Sequence, residues 1–362
     1  MTAFDQIQEK LLEHDVVFVA GALGCAKTTG APWHLAKSFE KPVACCLPRR
    51  LQARLAAKYV RRHSRDAAEC DIGWAVGGEP GQAGRRLTYF THGCLIQQPW
   101  DSLGHRFSVV IVDEAHEQSM ETQILFWILQ NRVLGKPYGV KVVIMSATMD
   151  ITQFQKYFRQ NKDITVAECA IELGGAPYDV QVVTLERIKD VFPDHHLQQL
   201  CQNADERMKG GEVPDWTRGC MHALMAKLLQ RTAMSGRSVL VFLPGLAEIM
   251  DMANYLRTKM ATISVHVLHS VVSKEDQNLA CSLVPSGEQR VILATSMADS
   301  SVTIEGLSCI IDTGVTRDSE SQDLFGLTVL CDRWSDATVV RQRVGRARRT
   351  QCGMHDGMTW TQ

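Results

Sequence analysis

Asp113 and Glu114 follow directly on Val109-Val110-Ile111-Val112. Four consecutive apolar, β-branched residues predict a strand buried on both faces. Two adjacent acids at the carboxyl end of such a strand are costly unless a cation sits beside them. A magnesium nucleotide would supply that charge. Asp113 would then hold the metal, and Glu114 would orient and deprotonate an attacking water. A solvated acidic turn is the plain alternative, and a second motif upstream decides against it. Val16-Val17-Phe18-Val19-Ala20 runs into Gly21-Ala22-Leu23-Gly24-Cys25-Ala26-Lys27-Thr28-Thr29. Strand, Gly-rich turn, Lys-Thr and helix is an arrangement that cradles phosphates. Backbone N–H groups from Gly21 through Thr29, including Leu23, Gly24, Cys25 and Ala26, would wrap them. Lys27 would reach the terminal phosphates and the Thr28 hydroxyl would ligate magnesium. Ala26 stands where glycine is usual, which a negative φ would tolerate.

The other strand ends carry small or basic polar groups. Val43–Leu47 is followed by Pro48-Arg49-Arg50, and Leu87–Phe90 by Thr91-His92-Gly93. Ligands of parallel α/β sheets sit at strand carboxyl ends, so Arg49 and Arg50 are suited to phosphate backbone contacts. Arg54, Lys58, Arg61 and Arg62, further along the next helix, read as a solvated face. Val142–Met145 ends in Ser146-Ala147-Thr148, hydroxyls able to hydrogen-bond the acidic motif and pass its state onward. Strands at 238–243, 265–268, 291–294 and 309–311 alternate with helical segments and predict a second parallel sheet. That half has no phosphate loop. Arg341-Gln342-Arg343-Val344-Gly345-Arg346-Ala347-Arg348-Arg349 would bind nucleic acid, form a solvated face, or stabilise charge on a transferred phosphate.

The wider chain sets bounds. With 362 residues, there is room for two domains, placed at 1–165 and 166–362 with a connector punctuated by Gly174-Gly175-Ala176-Pro177. At 45% hydrophobic and 22% charged, the chain is globular. A net charge of −1 means that any basic surface is local. Twelve scattered cysteines without a Cys-x-x-Cys pair point to no zinc and to a reducing, intracellular setting, cytoplasmic or nuclear. No run is long enough to span a membrane, and no secretory signal opens the chain. Residues 186–218 look polar and irregular. His195 and His196 there lack partners to complete a metal site.

Together these motifs resemble superfamily 2 helicases, and among them the DEAH/RHA group of RNA helicases. Gly21–Thr29 is similar to motif I, Leu47–Arg50 to motif Ia and Thr91–Gly93 to the Thr-x-Gly motif. Asp113–His116 resembles motif II, Ser146–Thr148 motif III and Val241–Gly245 motif IV. Ala294–Gly306 resembles motif V and Gln342–Arg349 motif VI. The resemblance implies an α/β fold of two tandem RecA-like domains of the phosphate-loop NTPase type, with ATP or another nucleoside triphosphate and Mg2+ in the cleft between them. It implies that Lys27, Asp113 and Glu114 act with Gln342, which positions water, and with Arg346 and Arg349, which meet the phosphates. His116, Ser146 and Thr148 would couple nucleotide state to domain movement. Single-stranded or partly duplex RNA would be held by Arg49, Arg50, Thr91 and Gly93 on one side and by Thr295 and Ser296 on the other. Residues 315–331 stand where the family has a β-hairpin, with Leu327–Leu330 as its returning strand. The chain departs from the family at Ala26, at Arg348 for a usual glycine, and at Asp299 for a usual glutamate. It also stops soon after motif VI, so the expectation is a helicase core, viral or a fragment of a longer protein, with protein cofactors among its partners. The alternative is a catalytically weak module that binds RNA or a partner.

Overall fold

The computed structural model describes residues 2–362 except 22–24, 65, 80, 118, 138, 148–150, 175–179, 193, 209–218, 300–303, 323–326, 348–355 and 360–362. The chain divides into two compact units, Met1–Ala176 and Pro177–Gln362. The first contains seven strands: β1 (Val16–Gly21), β2 (Val43–Leu47), β3 (Ile72–Ala75), β4 (Leu87–Thr91), β5 (Val109–Val112), β6 (Lys141–Ser146) and β7 (Ile171–Leu173). They form one sheet in the order β3-β4-β2-β5-β6-β1-β7, and every recorded pairing is parallel. The residues of β1, β2, β4 and β5 are all buried, as expected where helices cover both faces; β1, β2 and β5 are apolar apart from Gly21, while β4 buries Thr88 and Thr91 among its apolar residues.

This order positions the chemistry. β5, β6 and β1 are neighbours, so the segments after Val112, Ser146 and Gly21 open side by side at one end of the sheet. β2 and β4, neighbours on the far side of β5, bring Pro48–Arg50 beside Thr91–Gly93. The break expected at residue 165 falls inside the first unit. Ile171–Leu173 pairs with Val19–Gly21, and Ala167 N–H donates to the Val16 carbonyl, so the chain stays in the first sheet until after Leu173.

The second unit contains β8 (Gln181–Val183), β9 (Arg237–Phe242), β10 (Ile263–Leu268), β11 (Gln289–Ala294), β12 (Leu307–Asp312), β13 (Val315–Gln322), β14 (Leu327–Trp334) and β15 (Asp356–Thr359). Six of them form a second parallel sheet, in the order β10-β11-β9-β12-β15-β8. β13 and β14 pair antiparallel as a hairpin, with Arg317 opposite Asp332. The returning strand is longer than Leu327–Leu330 and reaches Trp334. The chain thus folds as two tandem RecA-like α/β domains, each a parallel sheet flanked by helices.

Two local expectations need correction. The stretch 186–218 is not all irregular, since a helix spans His195–Met208. Asp194 caps it, accepting from His196 and Leu197 N–H at 3.1 and 3.2 Å, and pairs with Lys227 and Arg231 at 3.2 and 2.7 Å. Nor are all the later arginines of helix Arg50–His63 solvated. Arg54 is buried and pairs with Glu79 at 3.3 Å, while Arg61 Nε donates to the Ile72 carbonyl at 2.6 Å and its guanidinium lies over Trp74. They tie that helix to β3 and to the Gly-rich segment after it. Among the described residues, no helix is long and apolar enough to cross a membrane.

Candidate active site at adjacent strand ends

The site gathers in the first unit around two buried acids. Asp113 has no exposed surface and Glu114 is 2% exposed. Asp113 N–H donates to the Cys46 carbonyl at 3.0 Å, which continues the β2–β5 ladder one residue past the strand. The chain then reverses at Glu114, whose φ is +55°. A non-glycine residue in that region costs roughly 1 kcal/mol, and here it turns Glu114 N–H onto Asp113 Oδ1 at 2.8 Å. Strain of this kind persists where the surroundings fix it, as at functional sites.

Thr28 and Lys27 arrive from the neighbouring loop. The Thr28 hydroxyl donates to Asp113 Oδ2 at 2.6 Å. Lys27, 6% exposed, donates from Nζ to the Gly21 carbonyl, the first residue of its own loop. Burial, and then the Glu114 carboxylate, push the Asp113 carboxyl up to about 7, against the opposing pull of Lys27, the Thr28 hydroxyl and Glu114 N–H. Two carboxylates therefore share a pocket with too little positive charge. An alcohol and a carboxylate on adjoining oxygens are the donors that a hard cation such as magnesium takes. The residues present fit that ion.

His116 lies between the acid pair and β6. Its Nε2 stands 3.7 Å from Glu114 Oε2, and its Nδ1 is 3.4 Å from Ala147 N. Ser146 ends β6, buried, beside this contact. Thr148, Leu23, Gly24 and Arg349 lie outside the described residues.

Ala26 corrects the condition attached to it. Its φ is +60°, the left-handed region, not the negative value that would suit alanine. The loop holds this conformation while the Ala26 carbonyl accepts from Gly30 N–H at 2.7 Å, starting helix Gly30–Ser38. Ala26→Gly is expected to raise the stability of the chain by about 0.5–1 kcal/mol and to tighten nucleotide binding. Thermal melts and nucleotide titrations of both proteins check this, and a lower melting temperature for Ala26→Gly would contradict it.

A groove of about 430 Å3 opens past the carboxyl ends of β2 and β4. Arg49, Arg50, Thr91 and Gly93 all line it, with Pro48, Gly77 and Glu117. Arg50 is exposed, and its guanidinium approaches Gly77 and Gly78. Arg49 N–H donates to Gln52 Oε1 at 3.1 Å, and the buried Gln52 thereby fixes the first turn of the helix.

The second unit carries the remaining candidates. The Thr295 hydroxyl accepts from Met297 N–H at 3.5 Å and caps a short turn over Ser296–Ala298. Gln342 and Arg346 lie on helix Ala337–Ala347. Arg346 is 2% exposed, and both Nε and Nη2 donate to the Asp299 carbonyl.

Several contributors were not singled out from the sequence. Tyr89, buried on β4, donates its hydroxyl to the Thr28 carbonyl at 2.8 Å and steadies the loop from a strand four places away from β1. His92, 1% exposed, bonds through Nδ1 with Thr122 Oγ1 at 3.1 Å, and burial pushes its pKa down to about 4. Arg343 pairs with Asp299 and Asp312 at 2.8 and 2.6 Å and covers the Phe242 ring. A lone tyrosine in an apolar strand gives no signal of this kind. For Arg343 the signal was its place among the arginines.

The chain is similar in sequence and in fold to known helicases. Residues 221–351 match the family described as Helicase conserved C-terminal domain. The chain is 30% identical over 355 residues to the probable ATP-dependent RNA helicase DHX34 of Mus musculus, covering 97% of this chain and 29% of that protein. It is 27% identical over 357 residues to the DExH-box ATP-dependent RNA helicase DExH8 of Arabidopsis thaliana, covering 95% of this chain and 34% of the relative. A crystal structure of the Escherichia coli DEAH/RHA helicase HrpB superposes with a TM-score of 0.73 at 24% identity, over 98% of this chain and 41% of that one, a likeness of fold. The chain spans about a third of the length of these relatives.

Proposed function

Taking the chain as a superfamily 2 helicase core resembling the DEAH/RHA type, we propose that it hydrolyses ATP, or another nucleoside triphosphate, and couples this to movement along single-stranded RNA. The observation that supports this most is the buried group of Lys27, Thr28, Asp113 and Glu114 at adjacent strand ends. Magnesium, held by Thr28 and Asp113, would neutralise phosphate charge and so supply the cation this pocket lacks.

This chain's own residues do the rest. Lys27 leaves the Gly21 carbonyl and donates to the terminal phosphates, while loop N–H groups from Gly21 to Thr29 bind the phosphate oxygens. Glu114 accepts a proton from the attacking water as the water's oxygen bonds to the terminal phosphorus and the bond from that phosphorus to the bridging oxygen breaks, releasing phosphate and the nucleoside diphosphate. The left-handed turn at Glu114 aims its carboxylate and lends it to His116, which relays its state to the end of β6. From the second unit, Gln342 positions the water, and Arg346 and Arg349 stabilise the departing charge. Arg346 exchanges its bond to the Asp299 carbonyl for the phosphate when it does so.

Backbone phosphates of RNA would cross the groove lined by Arg49, Arg50, Thr91 and Gly93, and Thr295 and Ser296 would hold the backbone on the second unit. Contacts of this type grip without reading sequence. Arg49→Ala with Arg50→Ala should weaken RNA binding across sequences and lower the slope of log affinity against log salt by about 1 per lost contact. Fluorescence titrations at several salt concentrations test it, and an unchanged slope would remove these residues from the interface. Two domains gripping one strand by turns would yield translocation as the nucleotide cycle opens and closes the cleft.

A second reading has one observation in its favour. The left-handed Ala26 burdens the phosphate loop, as in a module that binds RNA or a partner and hydrolyses weakly. Recovery of hydrolysis in Ala26→Gly, from a wild-type chain with none, would favour it.

A further inference from the structure

The hairpin of the second unit stands on an arginine. Arg317, on β13, sends Nη2 and Nη1 to the two carboxylate oxygens of Glu248, at 2.7 and 3.1 Å. The same guanidinium sends Nε and Nη2 to Asp332, its partner across the hairpin on β14, at 2.6 and 2.8 Å. Glu248 lies in the first turn of helix Leu246–Lys259, which leaves the sheet directly after β9 through Pro244-Gly245. Two forked, charge-assisted pairs on one guanidinium specify geometry as well as charge.

Gly245 shows how closely the parts fit. A Cβ there would lie 2.1 Å from Arg317 Nη1 and 2.8 Å from Glu248 Oε2. Its φ is −154°, ordinary extended backbone, so a side chain at this position would not strain the chain but would push the Arg317 guanidinium from its place. Just below, Ser335 N–H closes the hairpin onto the Gly314 carbonyl at 2.7 Å. Higher on β14, Val329 and Leu330 present apolar surface to solvent.

We propose that Arg317 is a positioning residue, which by bridging Glu248 and Asp332 fixes the base of the β13–β14 hairpin to the helix after β9, so that hairpin and second sheet move as one body. This rests on the motor reading for its purpose. A hairpin that must press on a nucleic acid duplex while its domain moves needs a stiff foot, because a free hinge there would let the force dissipate. An exposed ion pair with no such role would contribute little to stability and nothing to output.

The test uses Arg317→Ala, Gly245→Ala and the pair combined. Gly245→Ala keeps every charge and only fills the guanidinium's place. Hydrogen exchange is measured at the base amides, 315–318 and 331–334. Both single variants should exchange there about tenfold faster or more, and the double variant no faster than Arg317→Ala alone, since one contact is lost in each case. Strand separation of a partly duplex RNA should fall about tenfold or more while RNA-stimulated hydrolysis stays within about twofold, a split that a general loss of fold would not produce. Arg317→Lys should lie between, keeping charge and losing the fork. Unchanged exchange at the base in Arg317→Ala would overturn the clamp. Absence of both hydrolysis and strand separation in the wild-type chain would overturn the motor reading instead, and exchange would still decide the clamp.

Discussion

Replacing Glu114 with Gln is expected to lower RNA-stimulated hydrolysis by about 10²–10⁴-fold, the range lost with a general base. Nucleotide binding should persist, since Glu114 lies outside the phosphate loop Gly21–Thr29. The isosteric amide preserves the turn at φ +55° and removes only the proton acceptor. Single-turnover hydrolysis with a parallel nucleotide titration separates the two effects. Equal loss of binding and turnover would mean that Glu114 organises the pocket and does not act on water. Full retention of turnover would remove it from the chemistry.

Replacing Asp113 with Asn is expected to abolish hydrolysis and, without nucleotide, to stabilise the protein. The sign follows from the raised pKa. A carboxyl moved from 3.8 to about 7 holds its proton more tightly folded than unfolded. Its favourable contribution is therefore complete below pH 4 and lost as pH rises from 4 to 7. Buried histidines oppose this trend. His92 is pushed down to about 4, so stability is lost through it as pH falls below its ordinary 6.5. The wild-type curve thus mixes both, and the difference between Asp113→Asn and wild type isolates the aspartate. That difference should grow by about 2–3 kcal/mol between pH 5 and pH 8. Urea unfolding of both proteins at the two pH values measures it. A difference that does not change with pH would show that Asp113 is not held in a charge-poor pocket.

Much of this arrangement is legible in the residues. β1 is an apolar run that ends in a Gly-rich turn leading to Lys27 and Thr28, and β5 one that ends in two carboxylates, so strand and site announce each other. β7 and β8 escape because three residues leave no period to detect. Helix His195–Met208 is legible after all in Leu197, Leu200, Cys201, Ala204 and Met208, which recur at helical spacing between the polar residues that make the stretch look irregular. Arg54 and Arg61 look solvated in a basic helix, yet the glutamate and carbonyl that bury them arrive from residues 79 and 72, beyond any local pattern. The left-handed backbone at Ala26 is hidden for a different reason. Alanine disfavours it, and only the surrounding loop imposes it. The clamp on Arg317 needs three segments brought together from positions 245–248, 317 and 332, and it becomes visible only once the hairpin register is set.

The central claim is that the buried acids and the phosphate loop form a hydrolytic site whose turnover depends on RNA. Steady-state phosphate release by this chain, with ATP and magnesium, with and without single-stranded RNA, tests it most directly. Release should rise on adding RNA and saturate with RNA concentration. No phosphate release under either condition, from a chain that still binds RNA, would contradict it and leave a binding module.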